Sequence, residues 1–395
     1  MTTIERAPRT SARVPHSGAG DVLQLVRDNE AETRRDVQEL TGLSRITVAQ
    51  RIDTLLEASL LRDAGERATG GRRAGKLQFN VDHAVILVAA LDTRHATVAL
   101  TRLDGEIIAT NEVVAVVDDG PERCLGVLIA AFQDLLGQSE IELGRVGGVA
   151  ISIPGPVDPH TGRPSQPPIM PGWDAFPIAD RIRETIDVPV FVENDADAMA
   201  FGEQSRNFAS SPVLCLVKVS TGIGTGIVID GKPYHGIDGG AGDIGHIRLA
   251  GETAVCQCGS IGCLAAVASG RAVAQRLTDL GVEAHSGRDV RALLSAGNVN
   301  AMQLTHEAGA RIGEVLATVV STLNPGILLV GGDLASTSLI GGIRETLYPR
   351  SLARATRNLD VRLSTMGEQA DISGLTRVAV DSIYAPAAIN ALLAR

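Results

Sequence analysis

The chain has 395 residues, enough for two or three domains that each bury a core, and its 44% hydrophobic and 21% charged composition excludes wholesale disorder. A net charge of −10 argues against nucleic acid as a partner for the whole molecule, but the charge is uneven: residues 1–80 hold 13 Lys and Arg against 11 Asp and Glu, the remainder 23 against 35. DNA contact is therefore expected only at the N-terminal end.

The longest strongly apolar run, residues 84–91, is far too short for a bilayer, and no apolar run follows Arg6, Arg9 and Arg13 to make a secretory signal. A cytoplasmic protein with no membrane partner is expected. Cys256, Cys258 and Cys263 fall within eight residues, a spacing suited to metal rather than to a disulfide framework.

Residues 1–19 lack periodicity and read as a flexible tail; residues 20–80 read as one domain and 81–395 as a two-lobed body. Val22, Leu25 and Val26 give a first helical stripe. Thr33, three residues ahead of Asp36, opens a second helix carrying Val37 and Leu40. Thr41-Gly42-Leu43 makes a turn, Ser44 caps a third helix, and Val48, Ile52, Leu55 and Leu56 line its buried face. Helix, glycine turn and capped helix is the helix-turn-helix layout, whose second member enters the major groove. Ser44, Arg45, Thr47, Gln50 and Arg51 are the base-reading and phosphate candidates. Two short strands, over 60–63 and 76–79, flank Thr69-Gly70-Gly71-Arg72-Arg73. This predicts a basic wing in which Arg72, Arg73 and Lys76 contact the DNA backbone or minor groove. The alternative is a three-helix interaction module with a solvated arginine face.

Beyond residue 80, strands over 85–91, 97–103 and 106–116, a helix over 121–137 and a buried strand over 146–153 predict an α/β body. His246 followed by Cys256, Cys258 and Cys263 supplies one imidazole and three thiolates, the donor set of a closed structural Zn²⁺ site with no position open for catalysis.

Pro154-Gly155-Pro156-Val157-Asp158, Pro171-Gly172-Trp173, Glu193-Asn194-Asp195-Ala196, Gly242-Asp243-Ile244-Gly245-His246, the cysteine cluster and Gly331-Gly332 occur in the order found in the ROK family. The chain resembles that family, which groups sugar kinases with repressors on a two-lobed, actin-like ATPase fold, and its repressor branch, which carries a winged head. The resemblance implies that Asn194 and Asp195 match the kinases' sugar-binding pair, Asp195 standing where their general base stands. It also points to departures. Asp243 replaces a Glu, and Ile169 and Ala265 stand where an Asn and a Glu contact sugar. Each buried sugar hydroxyl left unpaired costs about 1–3 kcal/mol. Asn194, Asp195, Asp243 and His246 are retained as candidates for holding a sugar or sugar-derived effector.

The resemblance likewise assigns a degenerate nucleotide site to Asp92, Gly222, Gly224, Gly226, Gly331 and Gly332. The second phosphate loop survives as Thr221-Gly222-Ile223-Gly224-Thr225-Gly226. The first, Asp-x-Gly-Gly-Thr in the kinases, is Asp92-Thr93-Arg94-His95-Ala96 here, with both glycines replaced by bulky side chains that would strain a glycine-type backbone. ATP and Mg²⁺ are therefore not expected to bind, and Asp195 is vestigial. The favoured reading is a transcriptional regulator, a repressor of carbohydrate metabolism, acting as a homodimer or homotetramer on an inverted-repeat operator in double-stranded DNA. The alternatives are a bifunctional ATP-dependent sugar kinase and a zinc-stabilised interaction protein without DNA binding.

Overall fold

The computed structural model describes residues 18–66 and 75–394, with the backbone alone at 64–66. It forms two compact units, Met1–Ala84 with Val380–Arg395, and Val85–Ala379.

In the smaller unit, α1 (Ala19–Arg27), α2 (Arg34–Thr41) and α3 (Arg45–Glu57) precede the antiparallel strands β1 (Leu61–Glu66) and β2 (Gly75–Phe79). Their ends are set by local chemistry. The Thr33 hydroxyl accepts from the Asp36 N–H at 3.2 Å while the Asp36 carboxylate accepts from the Thr33 N–H at 2.8 Å, closing the expected capping box. Gly42, at φ +71°, ends α2 in the left-handed region that favours glycine. Ser44 accepts from the Thr47 N–H at 3.2 Å to open α3. Val22, Leu23 and Val26 of α1 are buried, as are Val48, Ile52 and Leu55 of the adjoining α3. The three helices and two strands are those expected from the sequence for a helix-turn-helix and the stem of its wing, whose tip lies outside the described residues.

The sequence places the last residues with the body, but Val380–Arg395 groups with the head. The C-terminal helix Pro386–Leu393 packs on α1, where Asn390 Oδ1 accepts from the Gly20 N–H at 2.8 Å. A Cβ on Gly20 would lie 2.2 Å from the Pro386 carbonyl oxygen, so only glycine permits that approach. Tyr384 meets Phe79 edge-on at 5.3 Å, and Arg27 pairs with Asp381 at 3.0 Å while donating to the Val380 carbonyl.

In the body, β3 (Val85–Leu91), β4 (His95–Arg102) and β5 (Ile107–Val114) form an antiparallel meander; α4 (Pro121–Gln138) follows, and β6 (Val146–Ile153) returns parallel to β3. A two-residue pair, β7 (Val157–Asp158) with β8 (Arg163–Pro164), and α5 (Ile178–Arg183) lead to β9 (Val190–Asn194), parallel to β6. Helix α6 (Asp195–Asn207) then opens a second meander, β10 (Val213–Val219), β11 (Ile223–Ile229) and β12 (Lys232–Pro233). After α7 (Leu264–Ala268), α8 (Gly270–Asp279), α9 (Gly287–Ser295) and α10 (Val299–Leu323), β13 (Ile327–Gly331) lies parallel to β10. Helices α11 (Thr337–Arg350) and α12 (Ala353–Thr356), strand β14 (Asp360–Leu363) beside β13, and the part of α13 (Gln369–Ile383) up to Ala379 complete it.

Both sheets repeat one plan. Their orders, β5-β4-β3-β6-β9 and β12-β11-β10-β13-β14, place the third, second, first, fourth and fifth strand of each lobe in the same sequence. This duplication is the two-lobed, actin-like architecture expected for the body. β3 is apolar along its length because it is central and covered on both faces, whereas the edge strand β5 carries exposed Asn111 and Glu112. Each lobe has its own core, around Phe132 and Trp173 in the first and around Ile312 and Leu316 of α10 in the second.

Candidate DNA interface, metal group and ligand cleft

The head presents the N-terminal half of α3 outward. Arg45, Gln50 and Arg51 are exposed and Thr47 is half-buried, its hydroxyl 2.9 Å from that of Ser44. Ser44 is thus first a helix cap. Arg72 and Arg73 lie outside the described residues. Lys76 is engaged by Glu32 at 2.9 Å, which ties β2 to the segment before α2. Sequence reasoning passes over Ile46, which is 73% exposed on the same helix; an apolar side chain there suits contact with a thymine methyl. Its signal is available, since Ile46 falls off the stripe of Val48 and Ile52.

In the body, His246, Cys256, Cys258 and Cys263 come together as expected, their ligand atoms all within 4.8 Å of one another. Turns at Gly259 and Gly262, both at positive φ, fold the cysteine loop back, and a bridge between Arg248 and Cys263 sets its base. The Cys258 and Cys263 sulfurs are 3.7 Å apart, and the His246 Nδ1 is 3.7 Å from Cys256 Sγ. A disulfide needs about 2.05 Å. A tetrahedron with zinc–sulfur bonds of about 2.3 Å has edges of about 3.8 Å. The residues therefore fit Zn²⁺ in chemistry and spacing. The backbone N–H and hydroxyl of Ser260 bring the Cys258 thiol down to about 6, favouring the thiolate a metal requires.

Asn194, Asp195, Asp243 and His246 line a single cavity. Asn194 caps α6, accepting from the N–H groups of Ala196 and Asp197 at 2.9 and 3.2 Å and donating to the Gly155 carbonyl at 3.0 Å, so it fixes the proline-rich loop against the helix. Asp243 stands on the exposed rim. Ile169 and Ala265 form part of the wall, placing apolar groups at the two positions where the sequence lacks the kinases' polar ones.

Two cations in this cavity are not anticipated by the sequence. Lys218, on β10, donates to Asp195 Oδ2 at 2.7 Å. Burial opposes its charge, but Asp195, Asp371 and Asp92 outweigh burial and hold it as the ammonium. Arg271, half-buried on α8, has one guanidinium nitrogen, Nη1, buried without a partner among the described residues. Asp371 of α13 accepts from the Ser152 hydroxyl at 3.0 Å, and burial pushes its carboxyl up to about 7 despite nearby Lys218. Single residues of these types carry no pattern that a sequence reading could catch.

The first phosphate loop is a tight hairpin. The Asp92 N–H donates to the His95 carbonyl at 2.8 Å, and neither Arg94 nor His95 has positive φ, so the bulky residues sit without backbone strain. The chain takes an ordinary turn there in place of the glycine-type backbone that Arg94 and His95 would strain. Across the cleft, the Thr93 hydroxyl lies 3.2 Å from that of Thr221 in the second loop.

Asp92, Gly222 and Gly224 border this cavity, while Gly331, Gly332 and again Asp92 border a second one, with Arg288, Arg291 and Asp333. Gly226 serves packing instead. A Cβ there would lie 2.1 Å from the Ala196 carbonyl oxygen, so strand β11 needs glycine to pass over α6. Arg288 pairs with Glu112 of β5, and Arg291 with Glu368 at 2.8 Å, so salt bridges border the second cavity.

The profile of the ROK family matches residues 91–381, and the chain belongs to the ROK family. It is 26% identical over 380 residues to a xylose repressor of Caldicellulosiruptor bescii, covering 92% of this chain and 95% of that one. The crystal structure of a ROK family transcriptional regulator, a homologue of the Escherichia coli MLC protein, superposes with a TM-score of 0.80 at 25% identity, over 97% of this chain and 100% of the other. A glucokinase of Halalkalibacterium halodurans is 28% identical over 289 residues but spans only 68% of this chain, with 87% of its own length.

Proposed function

We propose that the chain is a DNA-binding transcriptional repressor whose body responds to a carbohydrate-type ligand and does not transfer phosphate. The observation that carries this reading is the likeness to a xylose repressor and a ROK regulator over 92% and 97% of the chain, where the likeness to the glucokinase spans 68%. The exposed Arg45, Ile46, Gln50 and Arg51 on α3 supply the reading surface. Because one such helix reads few base pairs, a homodimer or homotetramer in the cytoplasm binds an inverted repeat. Ligand in the cavity near Asn194, Asp195 and His246 favours one conformation of the body over another, and operator affinity follows that population. Zn²⁺ on His246, Cys256, Cys258 and Cys263 braces the loop beside the ligand and takes no part in chemistry.

Against kinase activity stand Arg94 and His95, which replace both glycines of the first phosphate loop, and the ion pair that occupies Asp195. The test uses purified full-length protein with ATP, Mg²⁺ and a panel of hexoses, pentoses and amino sugars. No sugar-dependent ADP release above background is expected. Turnover abolished by Asp195→Asn would establish a kinase instead.

A further inference from the structure

Directly behind the Asn194-Asp195 pair lies a second group of ligating side chains, apart from the cysteine group. Glu193 lies near the end of β9, Asp197 stands in the first turn of α6, and His235 follows β12. One ligand atom from each lies within 4.8 Å of the other two.

Glu193 and Asp197 are 7% and 4% exposed, two carboxylates brought together out of water. Each is held in place. Glu193 Oε1 accepts from the Asn194 N–H at 2.9 Å, and its Oε2 lies 3.0 Å from His235 Nε2. Asp197 accepts from the Ile227 backbone N–H, while its Oδ1 is fully buried and has no partner among the described residues. A buried acceptor left unsatisfied beside a second carboxylate is costly, and a cation between them answers both the missing partner and the repulsion.

We propose that Glu193, Asp197 and His235 bind a divalent first-row transition-metal ion of the harder kind, Mn²⁺ above all. Two carboxylate oxygens with one imidazole nitrogen fit such ions; Mg²⁺ and Ca²⁺ prefer all-oxygen sets, and thiophilic ions go to the cysteine group. Three protein ligands leave positions open. Asp197 also borders the cavity that holds Asn194 and Asp195, so water or the hydroxyls of a bound polyol can fill those positions. The ion would anchor Glu193 and Asp197, which stand on either side of the Asn194-Asp195 pair in the sequence. The site does not depend on the repressor reading: a chain that failed to bind DNA would still take up the ion.

The test is a Mn²⁺ titration of the full-length protein, purified with zinc in the medium and followed by the paramagnetic resonance of free Mn²⁺, together with anomalous diffraction from Mn²⁺-soaked crystals. Mn²⁺ is chosen because it competes poorly for thiolates. The expected results are one Mn²⁺ per chain, an anomalous peak between the three side chains, and affinity weakened more than tenfold by Asp197→Asn and by His235→Gln. His235 is half-buried, so its variant serves if Asp197→Asn does not fold. No Mn²⁺ uptake up to millimolar concentration, a peak elsewhere, or unchanged affinity in His235→Gln would overturn the proposal.

Discussion

Asp371 shows how one side chain reports on the cleft. Its carboxyl is raised from 3.8 to about 7, so the folded protein keeps a proton that the unfolded chain has released. Stability therefore falls as pH rises from about 4 to about 7 and levels off above, when the buried charge faces Lys218, Asp195 and Asp92. Asp371→Asn should remove that slope. Urea midpoints at about pH 5 and about pH 8 check it: the variant should gain on the natural protein at the higher pH and not at the lower. An equal offset at both values would mean that Asp371 stays ionised. At this scale the sequence is legible where a residue acts through its neighbours in the chain. Thr33, Gly42 and Ser44 declare caps and turns within three or four positions. Lys218, Arg271 and Asp371 acquire their roles only when strands and helices distant in sequence converge, so nothing local marks them.

Among elements, the cysteine loop is the most self-contained. It is readable because its ligands are close in sequence and few other structures require three cysteines and a histidine at that spacing. Cys258→Ala removes the one exposed thiol of the set. Zinc should drop from one per chain to near none by elemental analysis, with the thermal midpoint lowered by about 2–4 °C or more. Full zinc content with an unchanged midpoint would show that the loop holds itself. The glycine loop teaches the opposite lesson. Gly226 matches a phosphate-loop pattern, yet the close pass of β11 over Ala196 already demands glycine there, so its presence says little about nucleotide. The C-terminal helix is hard to place from sequence for a related reason. Its apolar face marks it for burial without saying against what, and its partners in α1 lie more than 360 residues away.

For the whole molecule, the sequence indicates an acidic α/β body behind a nearly neutral head, but not that the body repeats one five-strand plan twice. The acidity of the body argues that DNA contact falls on the head, where cationic contacts to phosphate would make binding salt-dependent. The central claim, that this chain reads DNA through α3, is tested most directly by offering the full-length protein a random double-stranded DNA pool and sequencing what it retains. An inverted repeat should be enriched, bound with an affinity that falls as salt rises, and Arg45→Ala should cost about 1–3 kcal/mol on that repeat while relaxing the base preference at one position of each half-site. Retention of no preferred sequence, or a repeat bound equally well by Arg45→Ala, would contradict it.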